Sequence, residues 1–487
     1  MINRYIKVKF KASVTSRFVP ICACAGLSIF AASVQAEPVI GPGDFAFDSG
    51  RADYNQAYEK ARSVVTSDIR DGRFLAGQGW AEVWTRDSSY SIDLALNLLQ
   101  PGLSRNTLSV IKQDASGIGE CWAQDSCAHF GAWPSLTDAI VGATGAWALY
   151  RASGDRQLLE MAYARTIQSL ARAERDAYIP ATGLFGGCAS FMESNSGYPF
   201  RYANDHSILV KTSALSTNAL YYQGYMVAAK MAEVLGRNPT PFREKAEALK
   251  QAINTRFWQE DKGYYGYFVD ENQHLVPQME GLGEALSILY GIADVSKASR
   301  VLQLAPTTSY GFPCLWPQFS EYNSYQGHDE FSYYHDGMIW PFVQAYWGLA
   351  AAKCHDVATF GNELKKLLKL SQENDTFMEY YHPQDGKPDG SRNQLWSASG
   401  YLGMIYRGLF GMDLESDGIH FAPVIPGGFD HLTLRRVKYR NQVFSLTIEG
   451  SGWKIKSFKL DGQMQAQPFL PANLQGSHAI EIILSGV

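Results

Sequence analysis

The chain has 487 residues, with 43 Lys and Arg against 48 Asp and Glu, and 13% of its residues are aromatic. A formal net charge of −5 offers no basic surface that would release the counterions of nucleic acid or of an anionic membrane, so both kinds of partner are disfavoured. Neutral ligands such as sugars stay open, because aromatic rings stack on their C–H faces.

The first 36 residues have the pattern of an export signal. Five basic residues and no acidic ones surround the start of an apolar run from Phe18 to Ala32, and Val34-Gln35-Ala36 presents small residues two apart. This predicts a signal peptide over residues 1–36 and a periplasmic or secreted protein, whose net charge falls to −10 on cleavage. A membrane anchor is the alternative, but the run is short for a span of about 20 residues.

Cysteine spacing predicts one disulfide. Cys121 and Cys127 are six positions apart, which suits a local bond in an oxidising compartment. No second cysteine pair and no pair of histidines has the spacing of a zinc site. We therefore expect no cofactor, and a calcium ion that braces a loop stays open.

Helical periodicity dominates from residue 52 to residue 411. The predicted helices cover 53–69, 88–99, 104–115, 136–152, 156–175, 212–235, 241–257, 281–292, 296–304, 337–353, 356–372 and 396–410. Helix 136–152 carries almost no charge, whereas helix 156–175 has charged residues on one face. Six antiparallel hairpins, with uncharged helices inside and amphipathic ones outside, predict an all-α (α/α)6 toroid.

The pattern changes after Gly411. Hydrophobic residues alternate with polar ones over 432–434, 443–448, 453–458 and 479–484, which predicts short strands. We expect a signal peptide over 1–36, a barrel over 37–415 and a small β-sandwich-like module over 416–487.

Two polar and aromatic segments precede predicted helices and are candidates for the wall of a pocket. In the first, Arg86 and Asp87 follow Trp84, and they would clamp vicinal hydroxyls while the ring stacks on a sugar. A capping Asp with a salt-bridged Arg is an equal alternative. In the second, Trp133 precedes Asp138, for which a capping role is the favoured interpretation.

Two further segments have carboxylates among aromatic residues. Glu193 lies close to Phe191 and Tyr198, and an apolar setting raises the pKa of a carboxyl, as a general acid requires. A surface glutamate is the alternative there, and Asp205 is another candidate acid. His335 and Asp336 stand with Trp340 at the head of an apolar helix, which is typical of a binding loop.

The fifth segment contains the strongest single candidate. Glu379 follows an apolar pair and precedes an aromatic pair and a tight turn, and Gln394 and Trp396 come after it. A carboxylate fixed in this way can orient a water molecule.

The motifs resemble those of six-hairpin glycosidases over roughly residues 50–425. Trp84-Thr-Arg86-Asp87 resembles the substrate-binding motif of glucoamylases. The stretch from Glu379 to Gly386, followed by Gln394-Leu-Trp396-Ser-Ala, resembles the base-carrying stretch of processing glucosidases and mannosylglycerate hydrolases. The Trp133 and His335 segments are similar to a bacterial branch that is often labelled debranching-enzyme-like.

The resemblance implies an inverting glycoside hydrolase of an oligosaccharide or glycoside. Glu193 would be the acid and Glu379 the base, although Glu193-Ser-Asn-Ser-Gly197 lacks the Asp that trehalases carry in their Glu-Ser-Gly-x-Asp motif. The residues implied to hold the sugar are Trp84, Arg86, Asp87, Trp133, Asp138, Tyr198, His335, Asp336, Trp340, Gln394 and Trp396.

The same residues leave other functions open. An α-glucoside is favoured by the Arg–Asp motif alone, and mannosides stay open. A phosphorylase of the same architecture would replace the base by a phosphate-binding cluster, and a non-catalytic carbohydrate-binding protein would keep only the aromatic residues. The oligomeric state also stays open.

Overall fold

Helices follow one another between Ala52 and Gly403, as the periodicity predicts. The structure is a computed structural model that describes residues 45–115, 119–122, 135–187, 197–203, 205–319, 334–429 and 431–486. The helices are α1 Ala52–Ser67, α2 Thr85–Ser91, α3 Asn97–Leu99, α4 Pro101–Val110, α5 Asp138–Ser153, α6 Arg156–Asp176, α7 Phe200–Ala203, α8 His206–Leu209, α9 Leu215–Val234, α10 Thr240–Arg256, α11 Gly281–Leu289, α12 Val295–Leu304, α13 Pro341–Lys353, α14 Val357–Glu373 and α15 Leu395–Gly403.

Six of these helices contact one another in a closed cycle. The cycle runs α2, α5, α9, α11, α13, α15 and back to α2. Helices α5, α9 and α13 are buried along nearly their whole length, which explains why their sequences carry so little charge. Outside the cycle, α1 packs on α15, α6 on α5 and α9, α10 on α9, and α14 on α13. The helices form a toroidal arrangement around one hydrophobic core.

The starts of the inner helices meet at one end of this toroid. Thr137 before α5 hydrogen-bonds Thr217 in the first turn of α9, at 3.1 Å. The N–H of Ser216 donates to Glu280, which stands just before α11, at 3.1 Å. Further contacts join α2 to α5 and α15 to α2, and they belong to the site described below. Polar groups therefore cluster at this end of the buried helices.

Local chemistry fixes where the helices begin and end. The side chain of Asp155 accepts hydrogen bonds from Gln157 N and Leu158 N, at 2.9 and 3.1 Å, and so caps α6. Just before it, Gly154 adopts a φ of +71°, which ends α5 and turns the chain back. The hairpin of an inner and an outer helix therefore turns within two residues.

Three predicted helices differ from the structure. The helix predicted over 104–115 ends at Val110, and Gln113–Ala115 is instead a strand paired with Gly119–Cys121. The helices predicted over 88–99 and 396–410 contain π-helical turns at Ile92–Leu96 and Met404–Leu409. Such turns add a residue to one helical turn, which hydrophobic periodicity does not detect.

Short hairpins join the helices, and longer strands follow them. The strands are β1 Ala46–Asp48, β2 Ile69–Arg70, β3 Arg73–Phe74, β4 Gln113–Ala115, β5 Gly119–Cys121, β6 Tyr178–Ile179, β7 Leu184–Phe185, β8 Ser213–Ala214, β9 Trp258–Gln259, β10 Tyr264–Tyr265, β11 Phe268–Val269, β12 Leu275–Val276, β13 Met279–Glu280, β14 Leu315–Trp316, β15 Tyr380–Tyr381, β16 Pro388–Asp389, β17 Met412–Leu414, β18 Gly418–Phe421, β19 His431–Tyr439, β20 Gln442–Glu449, β21 Ile455–Leu460, β22 Gln463–Met464, β23 Phe469–Pro471 and β24 Gly476–Leu484.

The C-terminal strands form two sheets. One sheet has three strands in the order β17-β18-β23, and the other has six in the order β1-β19-β20-β24-β21-β22. Within the six-stranded sheet, neighbouring strands are antiparallel, except that β20 and β24 run parallel. Strand β1 comes from the other end of the described chain, and its Phe47 packs against Tyr58 of α1. The C-terminal sheet domain thus includes a strand that precedes the helices.

Candidate active site

Glu379 is held at the base of the β15–β16 hairpin. Its side chain is 2% exposed, and Oε2 accepts hydrogen bonds from Trp80 Nε1 at 2.9 Å and from Ser391 N at 2.7 Å. Its own backbone N–H donates to Ser391 O at 2.9 Å, so the hairpin closes around it. Two N–H donors on one carboxylate oxygen favour the ionised form, which is the form that a general base needs.

Gly390 makes room for this carboxylate. The residue adopts a φ of +75°, and a Cβ added there would lie 2.5 Å from Glu379 Oε2. Both the backbone conformation and the close approach therefore require glycine at this position. The sequence indicates the Pro383–Gly386 turn of this hairpin but gives no sign of this second glycine's role.

Arg86 and Asp138 form a buried ion pair between the starts of α2 and α5. Arg86 Nη1 lies 2.8 Å from Asp138 Oδ2, and the two side chains are 3% and 1% exposed. Ser135 Oγ also donates to Asp138 Oδ2, at 3.0 Å. Asp138 is the first residue of α5, and it serves this pair, a role that the favoured capping interpretation does not include.

Asp87 is paired with Gln394, 307 positions along the chain. Gln394 Nε2 donates to Asp87 Oδ1 at 2.9 Å, and each residue is 1% exposed. The N–H of Gln394 donates to Phe377 O, two residues before Glu379. The first and fifth predicted segments are therefore in direct contact.

Aromatic rings connect the fourth segment to the fifth. His335 stacks on Trp340 with ring centroids 4.5 Å apart, and Trp340 stacks on Tyr380 at 5.1 Å. Trp396 stacks on Phe342 at 4.1 Å and meets Trp340 edge-on. Because these rings pack on one another and are buried, they hold the shape of the site.

A second pair of indoles stands next to Glu379. Trp84 is 4% exposed, and its ring centroid lies 5.0 Å from that of Trp80. Trp80 is only partly buried, and it is the ring that donates to the carboxylate. Of the two, Trp80 offers more surface to a ligand, although the sequence motif indicates Trp84.

Asp336 is a carboxyl that keeps its proton close to neutral pH. Burial raises its pKa from 3.8 to about 7, while the N–H of Phe319 donates to both oxygens at 3.1 and 3.2 Å and acts in the opposite direction. Such a group can donate a hydrogen bond to a sugar hydroxyl as well as accept one.

Tyr198 reaches the same region through other rings. Its centroid lies 5.3 Å from that of Tyr267 and 4.9 Å from that of Phe268, and Tyr267 in turn lies 6.5 Å from Phe319. Every sugar-holding residue that the sequence predicts and the structure describes is therefore part of one connected cluster, at the end of the toroid where the inner helices start.

Three predicted residues lie outside the described ranges: the general acid Glu193, Trp133 and Cys127. The alternative acid Asp205 is fully exposed, and hydrogen bonds from the side chain and N–H of Ser207 lower its pKa, which makes it a poor proton donor. Cys121 is a buried free thiol, so the predicted disulfide to Cys127 has no support in the structure.

Two buried glutamates beside the site are absent from the sequence-based prediction. Glu280 is fully buried, its Oε1 has no hydrogen-bond partner among the described residues, and burial raises its pKa to about 8. Glu284 accepts from Tyr265 N at 2.8 Å, and burial raises its pKa well above the ordinary value. The signal that could have identified Glu284 is an acidic residue inside an otherwise apolar helix, whereas Glu280, just before that helix, has no local signal.

Within the described ranges no three His, Cys, Asp or Glu residues are grouped so as to hold a metal ion. None of the helices in that part of the chain is long and apolar enough to cross a membrane.

Solved structures share this fold. A GH63 mannosylglycerate hydrolase from Thermus thermophilus matches with a TM-score of 0.58 and 16% identity, over 72% of this chain and 100% of that one. A sialidase matches with a TM-score of 0.66 and 13% identity, over 84% and 40%. A GH78 rhamnosidase from Bacillus sp. GL1 gives 0.56 and 13%, over 84% and 42%. The chain thus spans less than half of the latter two proteins.

Family models cover most of the chain. None of the curated proteins matches it in sequence. The C-terminal domain of glycosyl hydrolase family 65 matches residues 412–464, where the three-stranded sheet begins. The mannosylglycerate hydrolase MGH1-like glycoside hydrolase domain matches residues 110–397, which include Asp138, the His335 segment and Glu379. The chain is a glycoside hydrolase and belongs to this MGH1-like family.

Proposed function

We propose that the chain is an exported hydrolase that cleaves an α-glycosidic bond with inversion, with Glu379 as general base and Glu193 as general acid. The observation that best supports this is the fixed carboxylate of Glu379, which accepts from Trp80 and Ser391 through one oxygen.

The reaction needs both carboxyl groups. Glu193 gives its proton to the glycosidic oxygen as the bond from C1 to that oxygen breaks. Glu379 takes a proton from a water molecule, whose oxygen bonds to C1 from the opposite face and so inverts the anomer. We expect the two carboxyl groups to stand about 6.5–9.5 Å apart, with room for this water.

The buried pairs would hold the sugar in place. Arg86 with Asp138, and Asp87 with Gln394, present donors and acceptors whose positions are already fixed by each other. A sugar that binds such preorganised groups loses little further entropy before the bond breaks. His335, Asp336 and Trp340 are proposed to line the opposite wall.

An (α/α)6 barrel is proposed as the complete architecture. The closed cycle of six inner helices, with α1, α6, α10 and α14 packed outside it, supports this arrangement. The starts of the inner helices then form the floor of the pocket.

An α-glucoside is the favoured substrate. The Arg86–Asp87 motif resembles that of glucoamylases, and this resemblance is the only support. A mannoside is the second candidate, because one similar structure is named as a mannosylglycerate hydrolase.

The deciding experiment is Glu379→Gln, assayed on α-gluco-, α-manno- and α-galacto-disaccharides with and without phosphate. The variant keeps the shape and loses the base, so its rate should fall about 100-fold or more. Glu373→Gln on the exposed side of α14 is the control. Proton NMR in the first minutes should detect the inverted anomer, and a retained anomer or near-parental activity of Glu379→Gln would refute the assignment. Release of a sugar phosphate would identify a phosphorylase.

Export has its own test. The basic start, the apolar run and the Val34-Gln35-Ala36 site support it. N-terminal sequencing of the protein from a periplasmic fraction should begin at Glu37.

A further inference from the structure

A cavity lies at the end of the toroid that is opposite to the starts of the inner helices and to Glu379. It has a volume of about 420 Å³, and its walls include Trp147 and Arg151 of α5, Tyr290 just after α11, and Lys353, the last residue of α13. Arg151 is 13 positions after Asp138 in the same helix, so it stands about 20 Å from the Arg86–Asp138 pair along the axis. The cavity is therefore separate from the candidate active site.

Cationic side chains converge on this cavity. Arg151, Lys230, Lys353 and Arg407 all line it. The carboxylates that line it are Asp93, Asp413 and Glu415, and the side chain of Asp413 is 69% exposed to solvent. The cavity is thus lined by four cationic and three anionic side chains.

Two of these cations are neutralised by direct contact. Arg407 Nη1 lies 3.2 Å from Asp93 Oδ2, and Tyr346 also donates to that oxygen, at 2.8 Å. Lys230 Nζ lies 3.0 Å from Glu415 Oε1. Among the described residues, the remaining two cations have no carboxylate within hydrogen-bond distance.

Lys353 is the first of the two cations that have no carboxylate within hydrogen-bond distance among the described residues. Its Nζ donates to Leu289 O, the last carbonyl of α11. Burial lowers the pKa of Lys353, and the charge of Asp413 only partly opposes this effect. An ammonium group has three N–H donors, of which the carbonyl takes one. Lys353 is exposed on the wall of the cavity, so its remaining donors are within reach of an anionic ligand.

Arg151 is the second cation without a carboxylate within hydrogen-bond distance among the described residues. Its Nη1 donates to the backbone oxygen of Leu414, while the nearest oxygens of Asp413 and Glu415 are 4.0 and 3.9 Å away, beyond hydrogen-bond distance. Its Nε is buried and has no hydrogen-bond partner in the part of the chain that the structure describes. The Arg151 side chain is 15% exposed on the cavity wall, and its nearest carboxylates stay at 3.9 and 4.0 Å.

We propose that this cavity binds the carboxylate or phosphate group of a small ligand, with Lys353 and Arg151 as its charged partners and Trp147 and Tyr290 as the wall beside its carbon skeleton. The volume suits a ligand of a single sugar ring, since small-molecule sites begin at about 300 Å³. The inference does not depend on the proposed hydrolysis.

Isothermal titration with three probes tests the proposal on the whole protein. Inorganic phosphate and sodium glucuronate represent the two sources of the anion, and glucose is the neutral control. We expect saturable millimolar binding of at least one anion, weakened by added sodium chloride because the charges are screened. Binding of neither anion would overturn the proposal, whereas glucose binding reports only on the proposed catalytic pocket.

Variants then locate the binding. Lys353→Gln should lower the affinity for the anion at least tenfold, whereas Lys250→Gln on the outer helix α10 should leave the affinity unchanged. Glu379→Gln should also bind the anion like the parent, which separates this cavity from the catalytic end. Arg151→Gln is the second variant, should Lys353→Gln fail to fold. Unchanged affinity in a folded Lys353→Gln or Arg151→Gln protein would contradict the assignment.

Discussion

The indole of Trp80 donates a hydrogen bond to the carboxylate of Glu379, the proposed base. Trp80→Phe keeps the ring next to Trp84 but removes the N–H that donates to Glu379 Oε2. Because a hydrogen bond to a charged group contributes about 1.5–3 kcal/mol, we expect a rate loss of about tenfold or more. With one donor fewer for the ionised form, the acidic limb of the pH–rate profile should move to higher pH. Trp453→Phe in the C-terminal sheet is the control, and an unshifted profile of Trp80→Phe would disprove this role.

The buried Glu280 makes stability depend on pH. Its pKa is raised by burial from 4.5 to about 8, so the folded state binds a proton that the unfolded state releases. Its contribution to stability is complete below pH 4.5 and is lost as the pH rises through about 8. Glu280→Gln stays neutral, so the free energy of unfolding should fall less steeply between about pH 5 and 8, by up to about 1.4 kcal/mol per pH unit.

Urea titrations at several pH values measure this slope. Glu260→Gln is a matched control, because Glu260 is exposed and its pKa is lowered by Trp258 and Arg300. A parental slope in Glu280→Gln would mean that Glu280 is ionised in the folded protein.

At the scale of elements, the β15–β16 hairpin depends on a glycine that faces the carboxylate of Glu379, the proposed base. Gly390→Ala would place a Cβ 2.5 Å from Glu379 Oε2 at a φ of +75°. We expect a large loss of kcat, because the carboxylate must move. Gly291→Ala is the matched control, since Gly291 has a φ of +74° and no atom within 4 Å of the added Cβ. If the two variants lost kcat equally, backbone strain alone would explain the loss in Gly390→Ala.

Element identity can be predicted where the periodicity is long. Helices α5 and α6, predicted over 136–152 and 156–175, are found at Asp138–Ser153 and Arg156–Asp176. Strand β1 cannot be predicted, because three residues have no pattern and their partner β19 lies almost 400 positions away. A strand of this length is defined by the sheet that it joins.

Site segments can be predicted, but their partners cannot. The sequence indicates Arg86, Asp87, Asp138 and Gln394 as site residues, yet it gives no pairing, since an ion pair between residues 52 positions apart depends on how two helices dock. Trp80 begins the first segment, but its hydrogen bond to Glu379, 299 positions away, cannot be predicted from that segment. An acidic residue next to an apolar helix, as Glu280 is, likewise has no local pattern that indicates its burial.

At the scale of the whole molecule, Phe47 joins the six-stranded sheet to the helices. It is 7% exposed and packs against Tyr58 of α1 and Phe410, which follows α15 and its π turn. Phe47→Ala should lower the free energy of unfolding by about 3–5 kcal/mol through the cavity it leaves. The kinetics should stay parental well below the melting temperature. Met464→Ala, at a 64% exposed position, is the control and should change neither the free energy of unfolding nor the kinetics. A loss below about 1 kcal/mol for Phe47→Ala would show that strand β1 is loosely attached.

The closure of the ring by α2 and α15 has a consequence for the time course of biosynthesis. Both Trp80–Glu379 and Asp87–Gln394 join residues about 300 positions apart, so these contacts of the proposed base and its neighbours cannot form until both ends of the ring exist. At about 5–20 residues per second, the ribosome needs roughly 15–60 s between the two segments. Helical hairpins can form during that interval, but the site cannot. In refolding of the complete chain the same two contacts must close loops of about 300 residues, so recovery of activity should lag behind recovery of helical circular dichroism.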